Sequence, residues 1–214
     1  MRVLGEWLLT PQRAAVHLPT ATAVVADLHL GYGGVRQRGG EAVPDGALAQ
    51  TLGPLRDLFT AQSIRRLVIA GDLFEDGRVR GEELAAELSA WLADCGVELA
   101  VVPGNHDRGL PGGGLPVCPD GVRLGDWLVV HGDGARPAGP VVQGHEHPWL
   151  RWRAGVEGPC FLVAADHLVL PAYSTDAAGV NVLTTGRWAR YRCIAIAGDR
   201  LLDFGEVVAL RRRR

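Results

Sequence analysis

The sequence predicts an α/β fold in which two mixed β-sheets pack face to face and are flanked by helices, a four-layer sandwich. Three observations lead there. Short apolar runs rich in β-branched residues recur along the chain, and each stops abruptly at a polar turn. In the first half these runs alternate with helical patterns, which implies a largely parallel sheet. From Val122 onward, short runs and turns follow one another with weak helical signals, which implies a second, mostly antiparallel sheet.

Thr22 to Ala26 is the first clear strand and ends at Asp27. Leu67 to Ala70 ends at Gly71-Asp72, and Leu99 to Val102 at Pro103-Gly104-Asn105. Trp127 to Val130 leads to His131, and Val141-Val142 leads to Gly144-His145. Uninterrupted apolar runs of this length read as buried strands. The segment Asp45 to Ala61 places Leu48, Leu52, Leu55, Leu58 and Phe59 on one helical face, and Gly81 to Asp94 does so with Leu84, Leu88, Trp91 and Leu92. Asp45 fits an N-cap and Gly96 a C′ residue.

With 47% hydrophobic residues among 214, the chain reads as one globular domain, 1–214, whose end at 210–214 is expected to be a flexible arginine tail. No apolar run approaches the roughly 18 residues of a membrane span. The stretch Met1 to Pro11 carries Glu6 and no basic cluster, unlike a signal peptide. The expected compartment is the cytoplasm, with no membrane contact. Cys95, Cys118, Cys160 and Cys193 are widely spaced and form no CxxC pair, so reduced thiols are expected rather than a disulfide or a structural zinc.

Every basic residue is an arginine, which excludes Schiff-base lysine chemistry and a P-loop lysine. A bound phosphate would be held by metal, main-chain amides or arginine. The formal net charge is −2, of which Arg211 to Arg214 contribute +4, so the remainder of the chain carries −6. Composition thus offers no broad basic face for nucleic acid. The arginine tail could touch a nucleic-acid backbone or be merely solvated.

The chemistry lies in the turns. Five of the seven histidines keep company with Asp or Asn in Asp27-Leu28-His29, Gly104-Asn105-His106-Asp107, His131-Gly132-Asp133 and Gly144-His145-Glu146-His147, and Gly71-Asp72 adds a further carboxylate. Each motif follows the carboxyl end of a strand, where open α/β sheets bind ligands. Recurrent nitrogen and oxygen donors are what a two-metal phosphoesterase centre needs. Asp27 and His29, two residues apart in extended chain, would face one ion while Leu28 faces the core. His145 and His147 would repeat this with Glu146 turned away. Asp72 could bridge two ions, and Asn105 offers a neutral oxygen. Mixed imidazole and carboxylate donors suit Mn, Fe, Zn or Co, with Mn favoured. Two ions about 4 Å apart would generate hydroxide from a bridging water as nucleophile. His106 would stabilise the transition state or protonate the leaving oxygen, with Asp107 orienting its ring. His17 and His167 lack such context and read as ordinary surface or strand histidines.

The ordered set DLH, GD, GNHD, HG and GHEH resembles the calcineurin-like metallophosphoesterase superfamily. That resemblance implies two mixed sheets between helices. It further implies that Asp27, His29, Asp72 and His147 hold one ion, that Asp72, Asn105, His131 and His145 hold the other, and that His106 is the catalytic histidine. A narrower set resembles the DNA-ligase-associated branch and its archaeal relatives. It comprises Ala26 to Gly31, Arg36 with Gly39 and Pro44, Gly71 to Phe74, Gly144 to Pro148, Pro159 to Phe161, Leu170 to Tyr173 and Gly179 to Asn181. Two departures stand out: Glu75-Asp76 where the branch often has His, and His131-Gly132-Asp133 in place of a His-Gly-His type of segment.

For substrate, Arg36, Arg38 and Arg108 could hold phosphate oxygens or form surface ion pairs. Tyr32, Tyr173 and Trp149 could stack on a base, although Trp149 fits strand packing better. Three readings remain open. The first is a phosphodiesterase or nuclease acting on DNA or RNA in repair, alongside the ligase and helicase that the branch resemblance implies. The second is hydrolysis of a small nucleotide or cyclic phosphodiester. The third is a metal-stabilised interaction module without turnover. The Trp149–Trp152 region could form a dimer face.

Overall fold

The computed structural model describes residues 1–43, 46–107 and 114–212. Its elements run in the order β1 (Arg2–Val3), β2 (Trp7–Leu9), β3 (Ala15–His17), β4 (Thr22–Val25), α1 (Tyr32–Arg38), α2 (Leu48–Gln62), β5 (Arg66–Ala70), α3 (Gly81–Cys95) and β6 (Glu98–Val102). The second half adds β7 (Val122–Leu124), β8 (Trp127–Val130), β9 (Val141–Gln143), β10 (Pro148–Arg151), β11 (Glu157–Ala164), β12 (His167–Val169), β13 (Val180–Asn181), β14 (Arg192–Ala197), β15 (Arg200–Glu206) and α4 (Val207–Arg212).

The first sheet has the order β1-β2-β3-β4-β5-β6. Its β4-β5-β6 part is parallel, as the strand–helix alternation predicts, while β1 to β3 form an antiparallel extension. The extension escaped the sequence reading because its strands are only two or three residues long, too short for a period to register. The second sheet has the order β13-β10-β11-β12-β9-β8-β7, with β14 and β15 added on β11. Antiparallel pairs dominate it, but β8, β9 and β12 run parallel to one another.

Alternation along the strands decides the layering. In β5, Leu67 and Ile69 pack beneath Leu52, Leu55, Leu88 and Trp91 of α2 and α3. The intervening Val68 and Ala70 join Phe161, Leu168 and Ile194 between the two sheets. In β11, Phe161 and Val163 face that inner core. Cys160 and Leu162 face outward, under Trp188 and the Val207 and Leu210 side chains of α4. Period-two side-chain reversal thus gives the four layers.

Both long helices lie where the apolar periodicity puts them, and Gly96 terminates α3 in the left-handed conformation. The residue preceding α2 is Ala47, without a side-chain cap; Asp45, the expected cap, lies outside the described residues, as does Pro44. Helix α1 was not anticipated, since Gly33-Gly34 has poor helix propensity. The expected flexible tail is corrected at its start. α4 runs to Arg212 with Leu210 buried, and only 213–214 lie outside the described residues. Among the described residues no helix is long and apolar enough to cross a membrane. All four cysteines are free, with Cys160 and Cys193 buried and Cys95 and Cys118 half-buried. Burial pushes the Cys160 thiol up, with Cys193 alongside it.

Candidate metal centre

The carboxyl ends of β4 and β5 continue to pair beyond the regular ladder. Asp27 donates its amide to Gly71 O (3.0 Å), His29 to Asp72 O (3.0 Å) and Leu30 to Leu73 O (2.9 Å). The segment after β12 closes the other side, with Tyr173 donating to Ala26 O (2.7 Å) and Ser174 to Asp27 O (3.1 Å). Arg13 ties that segment down through main-chain oxygens of Ala172, Tyr173 and Ser174. Burial lowers the Arg13 pKa, with Tyr173 acting in the opposite direction. Each strand therefore hands its polar turn to one shared rim.

The turns are not extended, which corrects the reading of Asp27 and His29 as alternate residues of a strand. Asp27, His29, Asp72, His145 and His147 all take positive φ, between 42° and 66°. Non-glycine residues in this region are uncommon and cluster at functional sites. Leu28, between the two, is buried as expected. Two glycines make room. Gly71 has φ +86° and lies so close to His131 that a Cβ would sit 2.0 Å from Nδ1. At Gly104, a Cβ would meet Asp72 Oδ1 at 2.2 Å.

The rim gathers every expected ligand that the sequence singles out. Asp27, His29 and His147 present donor atoms within 4.8 Å of one another; so do His29, Asp72 and His106, and so do Asp27, Asp72 and His131. His145 and Asn105 lie against the third group: His131 Nε2 is 3.1 Å from His145 Nδ1, 3.0 Å from Asn105 Oδ1 and 3.5 Å from Asp72 Oδ2. Asp27, His29 and Asp72 each appear in two groups, so the three groups form one continuous cluster.

Second nitrogens set the ring directions. His131 Nδ1 lies 3.2 Å from Ala70 O, His147 Nδ1 lies 3.2 Å from Ala178 O, and His106 Nδ1 lies 3.1 Å from Glu75 O. A neutral imidazole has one N–H. With that N–H donated to a main-chain oxygen, His131 and His147 would turn the Nε2 lone pair inward. His147 Nε2 then lies 3.5 Å from Asp27 Oδ1. Burial lowers the His147 pKa, but its bond to Asp27 and that carboxylate's charge outweigh this and leave it raised.

The residues fit divalent metal. Asp27 and Asp72 are buried, at 0% and 2% exposure, and among the described residues the cationic partners recorded for them are histidines alone. Buried carboxylates need pairing or metal. His131 Nε2 faces acceptor atoms of Asn105, His145 and Asp72, an array of lone pairs that a cation reconciles. His29 is buried; its Nδ1 lies 2.8 Å from the Glu75 carboxylate, out of line for a hydrogen bond, and its Nε2 has no hydrogen-bond partner among the described residues.

Asp107 departs from its expected role. Its carboxylate accepts from the amides of Gly104 (2.8 Å), Phe74 (3.1 Å) and Leu73 (3.2 Å), so it stitches the β6 turn to the β5 turn and does not orient the His106 ring. Burial raises its pKa against the three amides that lower it. The His106 ring is instead anchored by Glu75 O. Its main-chain N–H donates to Asp72 Oδ1 (2.8 Å).

The expected substrate residues fare unevenly. Arg36 pairs with Glu41 and lies over the Tyr32 ring at 5.6 Å, the surface ion pair of the two readings. Arg38 is exposed within electrostatic reach of Asp76, and Arg108 lies outside the described residues. Tyr173 is buried and donates its hydroxyl to Thr51 O, so it is not available to stack. Trp149 sits half-buried in β10 against Gly179, as strand packing requires. Glu146 does turn away from the centre, to an ion pair with Arg187. His17 and His167 are buried strand residues, not surface ones.

Residues 21–183 match the model of the calcineurin-like phosphoesterase family. The chain belongs to that family. Over 87 residues it is 39% identical to the DNA double-strand break repair protein Mre11 of Methanopyrus kandleri, covering 40% of this chain and 18% of that protein. The chain thus spans less than a fifth of the length of that relative. Its fold is that of the Pseudomonas putida nuclease MPE, with TM-score 0.77 and 22% identity over 95% of this chain and 98% of that one. Membership makes it a metal-dependent phosphoester hydrolase.

Proposed function

We propose that this chain is a two-metal phosphodiesterase that cleaves nucleic acid in DNA repair. The observation that carries it is the overlap of three ligand groups through Asp27, His29 and Asp72 at the strand ends. In this reading Asp27, His29, Asp72 and His147 hold one ion, and Asp72, Asn105, His131 and His145 hold the other. Two divalent ions bound there, Mn favoured, would supply phosphoryl polarisation and a water of lowered pKa.

The chain's own groups do the rest. Asp72, held by the His106 amide, fixes the spacing of the two positions. His106 lies at the exposed edge with Nδ1 on Glu75 O, so that Nε2 of the imidazolium can give its proton to the leaving oxygen. Asp107 keeps the two turns in register.

The shape of the rim favours a long substrate over a small one. Among the described residues, the cavities that touch ligand histidines are small: about 90 Å³ beside His29, about 160 Å³ beside His131 and about 10 Å³ beside His147. Sites that enclose small ligands run to roughly 300–1,000 Å³. A larger cavity of about 630 Å³ near Arg13 and Asp199 has none of the ligand residues on its wall. A strand laid across an open rim meets this geometry better than an enclosed nucleotide. The repair setting is supported by the Mre11 relative, and a ligase or helicase as partner by the branch resemblance alone.

The test is hydrolysis of bis-p-nitrophenyl phosphate beside p-nitrophenyl phosphate with Mn, using Asp72→Asn to exclude a contaminant, followed by single- and double-stranded DNA. Diester preference with DNA cleavage is expected. Monoester preference with no cleavage of any strand would overturn the nuclease reading.

A further inference from the structure

Four histidines at the rim have Nδ1 directed at an oxygen of the protein, and in three of them that oxygen belongs to the main chain. His29 is the exception: its Nδ1 lies 2.8 Å from Glu75 Oε2. Glu75 also serves His106, whose Nδ1 is 3.1 Å from its carbonyl and 4.0 Å from its carboxylate. The two rings stand edge to face at 5.0 Å. One residue therefore touches a metal-ligand histidine and the histidine assigned to proton transfer.

Its own position is well determined. Glu75 donates its amide to Leu30 O (3.0 Å), and the preceding Phe74 bridges to Leu30 and donates to Asp107. The main chain at Glu75 is thus pinned to both flanking turns, which directs the side chain at His29. The carboxylate is 23% exposed, far less buried than the ligand carboxylates Asp27 and Asp72.

We propose that Glu75 is a positioning residue of the metal centre: its carboxylate, in ion-pair contact with His29 Nδ1, favours the proton on that nitrogen and leaves Nε2 for the ion, while its carbonyl anchors His106. Loss of a second group that orients a ligand imidazole typically weakens metal binding about 10–100-fold. The reasoning rests on the two-metal reading of the rim.

The experiment compares wild type, Glu75→Gln and Glu75→Ala. Mn affinity is measured by competition with a chelator, and histidine ring tautomers by nitrogen NMR of the metal-free protein. Glu75→Gln keeps an acceptor oxygen and should stay within about threefold of wild type, with His29 still protonated on Nδ1. Glu75→Ala should bind one of the two ions about 10–100-fold more weakly and show mixed tautomers at His29, with an unchanged melting temperature. Wild-type affinity and tautomer in Glu75→Ala would overturn the assignment, as would a Gln variant as impaired as the Ala variant. If wild type itself binds fewer than two ions, the two-metal reading fails, while the tautomer measurement still decides the role of Glu75.

Discussion

Buried histidines occupy two regions of this molecule, and burial alone does not tell them apart. In the second sheet His167 is 4% exposed; at the rim His131 is 2% exposed. The difference lies in where the second nitrogen goes. His167 is satisfied on both sides, by the Tyr191 hydroxyl at 2.7 Å and by Gln143 Oε1 at 2.9 Å. His17 bonds only through Nδ1, to Thr20; its Nε2 lies 3.6 Å from the Glu6 carboxylate without a hydrogen bond, and its ring is tilted against Trp7 at 4.9 Å, away from any cluster of donors. His131 and His147 set Nδ1 on main-chain oxygens and turn Nε2 onto other candidate donors: Asn105, His145 and Asp72 for His131, and Asp27 for His147. His167 ends on two neighbours that belong to no donor cluster; the rim histidines turn Nε2 onto carboxylate, amide and imidazole donors gathered at one place, the arrangement that a cation would fill.

The largest break in that comparison should come from Asp72→Asn. Asp72 joins two ligand groups, so its charge serves both ions. Turnover should fall by about a thousandfold or more, equivalent to roughly 4 kcal/mol of barrier, and both ions should be lost together on metal analysis. Loss of a single ion would contradict a bridging role. His106→Ala should come next. Both ions stay bound, and cleavage of esters with poor leaving groups falls about 10²–10⁴-fold, with a smaller loss for p-nitrophenolate as leaving group. Near-normal cleavage of poor leaving groups would remove His106 from proton transfer.

These contrasts were partly legible in the residue order. An apolar run ending in Asp27, Asp72, Asn105, His131 or His145 marks a strand whose carboxyl end carries donors, and parallel pairing of β4, β5 and β6 brings three such ends into line. The company of Asp and Gly separated rim histidines from His17 and His167 for a sound reason, since tight polar turns are where donors can converge. What stayed hidden was conformational. A two-residue spacing in Asp27-Leu28-His29 looks the same whether extended or left-handed. The role of Asp107 could not be read from adjacency to His106, because its partners are amides of Leu73 and Phe74, more than thirty residues away. Glu75 registered only as a departure from a pattern, since its contact with His29 depends on the bridge between Leu30 and Phe74.

Gly71→Ala should produce a smaller, more selective effect. The left-handed φ alone costs about 1–2 kcal/mol for a residue with a Cβ. The added carbon would collide with the His131 ring and push Nδ1 off Ala70 O. Stability should drop by at least that amount, and the ion on the His131 side should weaken more than the one on the His29 side. Equal weakening of both ions, by calorimetric titration, would show that the turn moves as a whole.

The smallest effect on function should come from His167→Gln, which removes a packing histidine and leaves the rim alone. Burial is the main cause that pulls the His167 pKa down to about 4, with Arg136 and Arg187 adding to it and Asp166 opposing. An unfolded chain takes up the proton near the ordinary histidine value of about 6.5. The neutral folded form therefore contributes its full stability above about pH 6.5. That contribution falls as pH drops, by at most about 1.4 kcal/mol per unit, until the folded ring itself protonates near 4. The variant lacks this titration. At pH 7 it should turn over substrate like wild type but melt lower, having lost the bonds to Tyr191 and Gln143. Between pH 6.5 and 4 the gap in melting temperature should narrow. A gap constant with pH would mean that His167 titrates alike folded and unfolded, and the distinction between packing and ligand histidines would then rest on hydrogen-bond geometry alone.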